Sequence, residues 1–109
     1  MRTEEQDVFY TRLGELVRRR RRERHLTQEK LAELWNLNRT TVVNIEKGRQ
    51  RISVHQVVVL ANHLGCQVQD LIPQLEEVRV LSAELRDKAP DDRAFKFASE
   101  IAAASKQPR

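Results

Sequence analysis

Residues 26–48 read LTQEKLAELWNLNRTTVVNIEKG, and the spacing within this stretch decides the fold. Leu26, Leu31, Ala32 and Trp35 recur as they would on one face of a helix. Thr27 stands before the first turn, where its hydroxyl oxygen can accept from an otherwise unpaired amide. A second helical pattern follows, with Val42, Ile45 and either Thr41 or Val43 inward and Asn38 as its N-cap. Trp35-Asn36-Leu37 joins the two. Asparagine, after glycine, best tolerates the left-handed backbone that a sharp turn between helices needs. Leu37 then returns to the core before Asn38 starts the next helix.

Helix, short turn and helix at this spacing form the helix-turn-helix signature. Gln28, Leu31-Ala32, the turn, Val42, Ile45-Glu46 and Gly48 resemble the Cro/phage-repressor (Xre-like) helix-turn-helix group. The likeness runs from about Leu13 to Pro73. It departs at Asn36, where glycine is usual, and at Arg20, where an apolar residue is common. The resemblance implies an all-α fold with a five-helix lambda-repressor-like domain over residues 1–73; past Pro73 the resemblance stops, and residues 74–109 read from their own pattern as a helical appendage for dimerisation or partner binding.

Working outward toward the N-terminus, residues 4–24 form a first helix with Phe9, Leu13, Leu16 and Val17 as its stripe. Glu4, Glu5 and Asp7 sit near its start, where the helix dipole favours negative charge. Five arginines, residues 18–22, then go fully round the helix at ~100° per residue, so they cannot share one role. Continuing the stripe from Leu13 and Val17 by four reaches Arg21, which faces inward and needs an anion. The family resemblance implies that Glu46 is that anion. His25 closes the helix where the family often has glycine, a favourable contact with the dipole rather than a catalytic group.

Toward the C-terminus, Arg49-Gln50-Arg51 is a basic loop, and Ser53 caps a fourth helix over residues 54–63 with Val57, Leu60, Ala61 and Leu64 inward and Gly65 at its end. Val57-Val58-Val59 would suit a strand, but the cap, the terminal glycine and the Leu60/Leu64 continuation favour helix. Val68, Leu71 and Ile72 fit the family's short fifth helix, ending near Pro73. Beyond it, Leu71, Leu75, Val78, Ser82, Leu85 and Ala89 alternate steps of four and three, the seam of a helix packed on another helix. Ala89-Pro90 breaks that helix. Asp91-Asp92 open a last one, with Phe95, Ala98, Ile101, Ala102 and Ser105 on one side and Phe97 off the stripe toward a partner.

The net charge of +4 is unevenly placed. Residues 1–51 carry 13 Lys/Arg against 8 Asp/Glu, and residues 52–109 carry 7 against 8. A basic front half on a near-neutral back half suits a polyanion on one side only. At 109 residues the chain can build one small core, so dimerisation would help it. Cys66 is the only cysteine, which removes an internal disulfide and points to a reducing compartment. No apolar run approaches the ~20 residues of a membrane span, and the acidic N-terminus does not read as a signal peptide. The expectation is a cytoplasmic protein with no membrane role. His55 and His63, eight residues apart, make no metal site, and no phosphate loop or paired nucleophile and base is present. No enzyme, cofactor or metal is expected.

Carried over by position, Arg39, Thr40 and Asn44 match the family's base readers on the second motif helix. Arginine can donate two parallel bonds to guanine, asparagine can pair twice with adenine, and Thr40 and Val43 could touch thymine methyls. Gln28 at the start of the first motif helix matches the family's backbone clamp. Asn38, Thr41, Lys47, Arg49 and Arg51 are the remaining backbone contacts expected. Trp35 holds a core position in the family. The implied function is a sequence-specific double-stranded DNA-binding transcriptional regulator, a repressor acting as a homodimer on an inverted-repeat operator. The alternative is an antitoxin-like component whose residues 74–105 bind a partner protein and whose DNA binding is autoregulatory. Exposure of the Phe95/Phe97/Ile101 patch would favour the second.

Overall fold

A computed structural model describes residues 1–87 of the chain. Five α-helices follow in order: α1 (Thr3–Glu23), α2 (Gln28–Leu34), α3 (Arg39–Glu46), α4 (Val54–Leu64) and α5 (Leu75–Asp87). There are no strands among the described residues. No helix among them is long and apolar enough to cross a membrane. The last expected helix, with Phe95, Phe97 and Ile101, and the seam residue Ala89 lie outside the described residues.

Short polar side chains start three of the helices. Thr27 Oγ1 accepts from the Lys30 amide at 3.0 Å, and Asn38 Oδ1 accepts from the Thr41 amide at 2.8 Å. Ser53 and Gln56 form a reciprocal capping box at α4. One device ends the first four. His25, Asn36, Gly48 and Gly65 all take positive φ, at 56°, 55°, 75° and 65°. After each, the next amide reaches back to a carbonyl in the last turn: Leu26 to Arg21, Leu37 to Ala32, Arg49 to Asn44 and Cys66 to Ala61, at 2.9–3.1 Å. This is the Schellman ending, which brings the side chain after the left-handed residue against the helix. In three of the four cases, at Leu26, Leu37 and Cys66, that side chain packs on the core.

The core gathers Leu13 and Val17 of α1, Leu31 and Ala32 of α2 with Trp35 after it, Val42 and Ile45 of α3, and Val57, Leu60, Ala61 and Leu64 of α4, closed by Leu71. Trp35 is buried and donates its indole N–H to the Gln56 carbonyl at 3.0 Å. Of the valine triplet only Val57 is inside; Val58 and Val59 are exposed. Gly14 and Gly48 let α1 and the end of α3 touch through backbone. A Cβ on Gly14 would lie 2.4 Å from the carbonyl oxygens of Ile45 and Glu46, and one on Gly48 would meet Thr11 at 2.7 Å.

One feature differs from the sequence reading, and a second is left open by it. The fifth family helix is a single 3₁₀ turn, Val68–Asp70. Asp70 Oδ2 accepts from the Gln67 amide at 2.9 Å and closes the turn at once, and Ile72, preceding a proline, is biased away from helix. The seam of α5 is covered from within the chain: Val78 and Val8 are buried against each other, with Phe9, Leu81 and Leu85 around them. Arg12 Nε donates to Glu77 Oε1 at 2.8 Å across the same contact. That bond raises the Arg12 pKa, with burial opposing it and Glu15 adding to it.

Candidate nucleic-acid interface

Inside the turn between α1 and α2, Arg21 is held in a buried network. Its Nε donates to Glu46 Oε2 at 2.7 Å, its Nη2 to Glu46 Oε1 at 3.1 Å and its Nη1 to the Leu26 carbonyl at 2.8 Å. The side chains of Arg21 and Glu46 are only 9% and 3% exposed, so the charges are taken out of water together. A forked pair of this kind fixes direction as well as distance. It ties the last turn of α1 to the last residue of α3. The rest of the run diverges, as five successive helical positions must: Arg18, Arg19 and Arg22 are exposed, and Arg20 reaches Asp70 at 3.6 Å.

Glu46 has a third donor, Gln28 Nε2 at 3.1 Å. Gln28 and Glu46 line a groove of about 410 Å³ together with Arg18, Arg39, Thr40, Val43 and Lys47. Helical geometry explains the wall that α3 supplies: Arg39, Val43 and Lys47 are four apart, and Thr40 lies beside them. Val43, which the sequence leaves open as an inward or a base-facing residue, is buried to 9% exposure and lines the groove. Asn38 Oδ1 accepts from both the amide and the hydroxyl of Thr41, at 2.8 and 2.9 Å. The pair is exposed at the start of α3.

Of the expected site residues, Gln28, Arg39, Thr40 and Lys47 line the groove together, and Asn44 does not. Asn44 and Arg49 are both half-buried, with polar atoms that have no partner among the described residues. Arg51 leaves its loop to sit 4.4 Å over the Tyr10 ring of α1, with Nη2 3.4 Å from Gln6 Oε1. Cation–π contact of this kind holds a guanidinium in place while its edge stays in water. Arg18 was missed by the sequence reading, although it lies three residues before Arg21, a spacing that puts it on the same side of α1. Among the described residues no group of three His, Cys, Asp or Glu could hold a metal ion.

Comparison with known proteins gives the family and the fold. A family model described as "Helix-turn-helix domain" matches residues 12–75. The immunity repressor protein of Bacillus phage phi105 is 33% identical over 80 residues, 73% of this chain and 56% of that protein. The chain thus matches little more than half the length of that relative. The restriction-modification controller protein C.AhdI of Aeromonas hydrophila is similar in structure, with a TM-score of 0.56 at 30% identity over 58% of this chain and 96% of that one. The clp gene regulator ClgR of Corynebacterium glutamicum gives 0.60 at 22% identity over 83% and 93%, a likeness of fold alone.

Proposed function

Because the chain belongs to the Xre-like helix-turn-helix family, we propose that it is a sequence-specific double-stranded DNA-binding transcriptional regulator, a repressor that acts as a homodimer on an inverted-repeat operator. The observation that carries this reading is the groove face of α3. Arg39, Thr40 and Lys47 stand clear of the core on a helix whose angle to α1 is set by the buried Arg21–Glu46 pair. An α-helix fits the major groove of B-DNA, where arginine reads guanine and threonine meets a thymine methyl. Arg18, Gln28 and Lys47 flank this face where phosphates would run, and Asn38, Thr41 and Arg51 extend the backbone contacts. The basic half of the chain supplies the sequence-independent attraction.

A repressor needs only tight occupancy, which is consistent with an immunity repressor among its relatives. The exposed valines of α4, Val54, Val58 and Val59, give a second copy apolar surface to cover. Binding-site selection on random duplex DNA tests the proposal. The selected sequences should be inverted repeats with half-sites about one helical turn apart, ~34 Å centre to centre. Selection that returns no common sequence would refute it.

A further inference from the structure

The buried carboxylate of Glu46 is joined to the groove surface by one side chain. Its Oε2 accepts from Arg21 Nε at 2.7 Å, and its Oε1 accepts twice, from Arg21 Nη2 and from Gln28 Nε2, each at 3.1 Å. Arg21 and Glu46 are out of water, whereas Gln28 is half-buried and lines the groove with Arg18, Arg39, Thr40 and Lys47. The bond decides which way the Gln28 amide faces. A carboxylate only accepts, so the amide turns its nitrogen to Glu46 and not its oxygen. That nitrogen carries two hydrogens; Glu46 takes one, and the other is left to donate. A free glutamine must have several bond rotations fixed before it can hold a ligand, at a cost in conformational entropy, and a side chain already held binds more tightly. Arg21 contributes as well: its guanidinium offsets the charge of Glu46, so an anion at Gln28 meets a neutral pair.

We infer that Glu46 is a positioning residue for DNA binding: through its bond to Gln28 it holds that amide nitrogen in place, with the second N–H free for a phosphate oxygen. This rests on the reading of the groove face as the DNA-binding surface, with Gln28 beside a phosphate. A phosphate oxygen is an acceptor, and the amide oxygen of Gln28 would repel it. Only one of the two amide orientations therefore binds, and Glu46 selects it. The Arg21–Glu46 pair then serves twice, once in the angle between α1 and α3 and once in the backbone contact made by α2. Such a contact fixes the placement of the protein on the duplex and reads no base.

Titration of the selected duplex with the full chain, across a salt series, tests this. Gln28→Met keeps the stem and removes the amide. It should weaken binding about tenfold, with base preference and salt slope unchanged, because the lost donor is neutral. Arg21→Met with Glu46→Leu takes away the acceptor, fills the space and leaves the net charge as it was. In that background Gln28→Met should cost less than about threefold, while Arg39→Ala should cost as much as in the wild type. The inference is overturned if Gln28→Met costs the same in both backgrounds, since the phosphate contact would then need no Glu46. It is equally overturned if Gln28→Met leaves the wild-type affinity unchanged while Arg39→Ala lowers it. Should neither substitution change binding, the reading of the groove face fails, and the inference falls with it. The held amide is also testable without DNA and without any variant. By NMR, the side-chain amide protons of Gln28 in the free protein should exchange with water more slowly than those of the exposed Gln50, and equal rates would contradict the positioning.

Discussion

Arg21→Ala removes one member of a pair that is almost wholly out of water. Glu46 would keep its charge, 3% exposed, with only Gln28 Nε2 left as a donor at 3.1 Å. Three hydrogen bonds go with the guanidinium, two to Glu46 and one to the Leu26 carbonyl. Breaking a buried ion pair from one side costs roughly 3–5 kcal/mol, because the remaining charge is uncompensated. A small domain has only about 5–15 kcal/mol in total, so Arg21→Ala should approach the limit of folding. Arg22→Ala is the control. Arg22 is one residue away and exposed, and such surface changes are usually within about 0.5 kcal/mol of neutral. The double replacement Arg21→Met with Glu46→Leu removes both charges and fills the space, and should recover most of the loss. Urea denaturation of the four proteins, compared by midpoint at constant slope, separates these outcomes. Small, equal losses for Arg21→Ala and Arg22→Ala would refute the reasoning, as would a double variant no more stable than Arg21→Ala.

Gly14→Ala should destabilise, although alanine is the better helix former by about 1 kcal/mol. The new Cβ would lie 2.4 Å from the backbone oxygens of Ile45 and Glu46, and such overpacking costs roughly 1–3 kcal/mol; thermal melts decide the sign. A chain ending at Pro73 uncovers Val8, and losing the burial of Val78 alone forfeits about 1.5–3 kcal/mol, measurable by denaturation. If residues 74–105 also carry self-association, the shortened chain should be a weaker dimer in sedimentation; equal dimerisation would move the interface elsewhere. Cys66 should alkylate slowly. Burial raises its pKa more than Arg20 lowers it, so the reactive thiolate forms at higher pH than in free cysteine, and iodoacetamide rates against pH should be displaced to the alkaline side.

Local chemistry made most of the fold legible in advance. Thr27, Asn38 and Ser53 cap because a short oxygen-bearing side chain before an apolar repeat has few other uses, and Asn36, Gly48 and Gly65 end helices because few residues accept positive φ. Arg21 stood out because an apolar stripe ran into an arginine. Non-local information was harder to read. The pattern of α5 says which face is apolar, but not that α1 of the same chain covers it, and Val8 shows no stripe until Val78 is placed beside it. Gly14 lies within α1, and nothing local reveals the backbone it faces. At the candidate site, α3 could be ordered by position alone. The commitments of Gln28 to Glu46 and of Arg51 to Tyr10 could not, since each joins residues distant in sequence.

The account rests on α3 as the part of the protein that reads DNA. Fluorescence anisotropy on the selected duplex and on a scrambled one, across a salt series, tests this most directly. Arg39→Ala and Asn44→Ala should each cost about 1–3 kcal/mol on the selected site, relax the base choice at one position per half-site and lower the ratio of specific to non-specific affinity. Arg18→Ala and Lys47→Ala should instead weaken both duplexes alike and reduce the salt slope by about one each. If Arg39→Ala and Asn44→Ala leave the ratio of specific to non-specific affinity unchanged, α3 is not the reader and the proposed function is wrong.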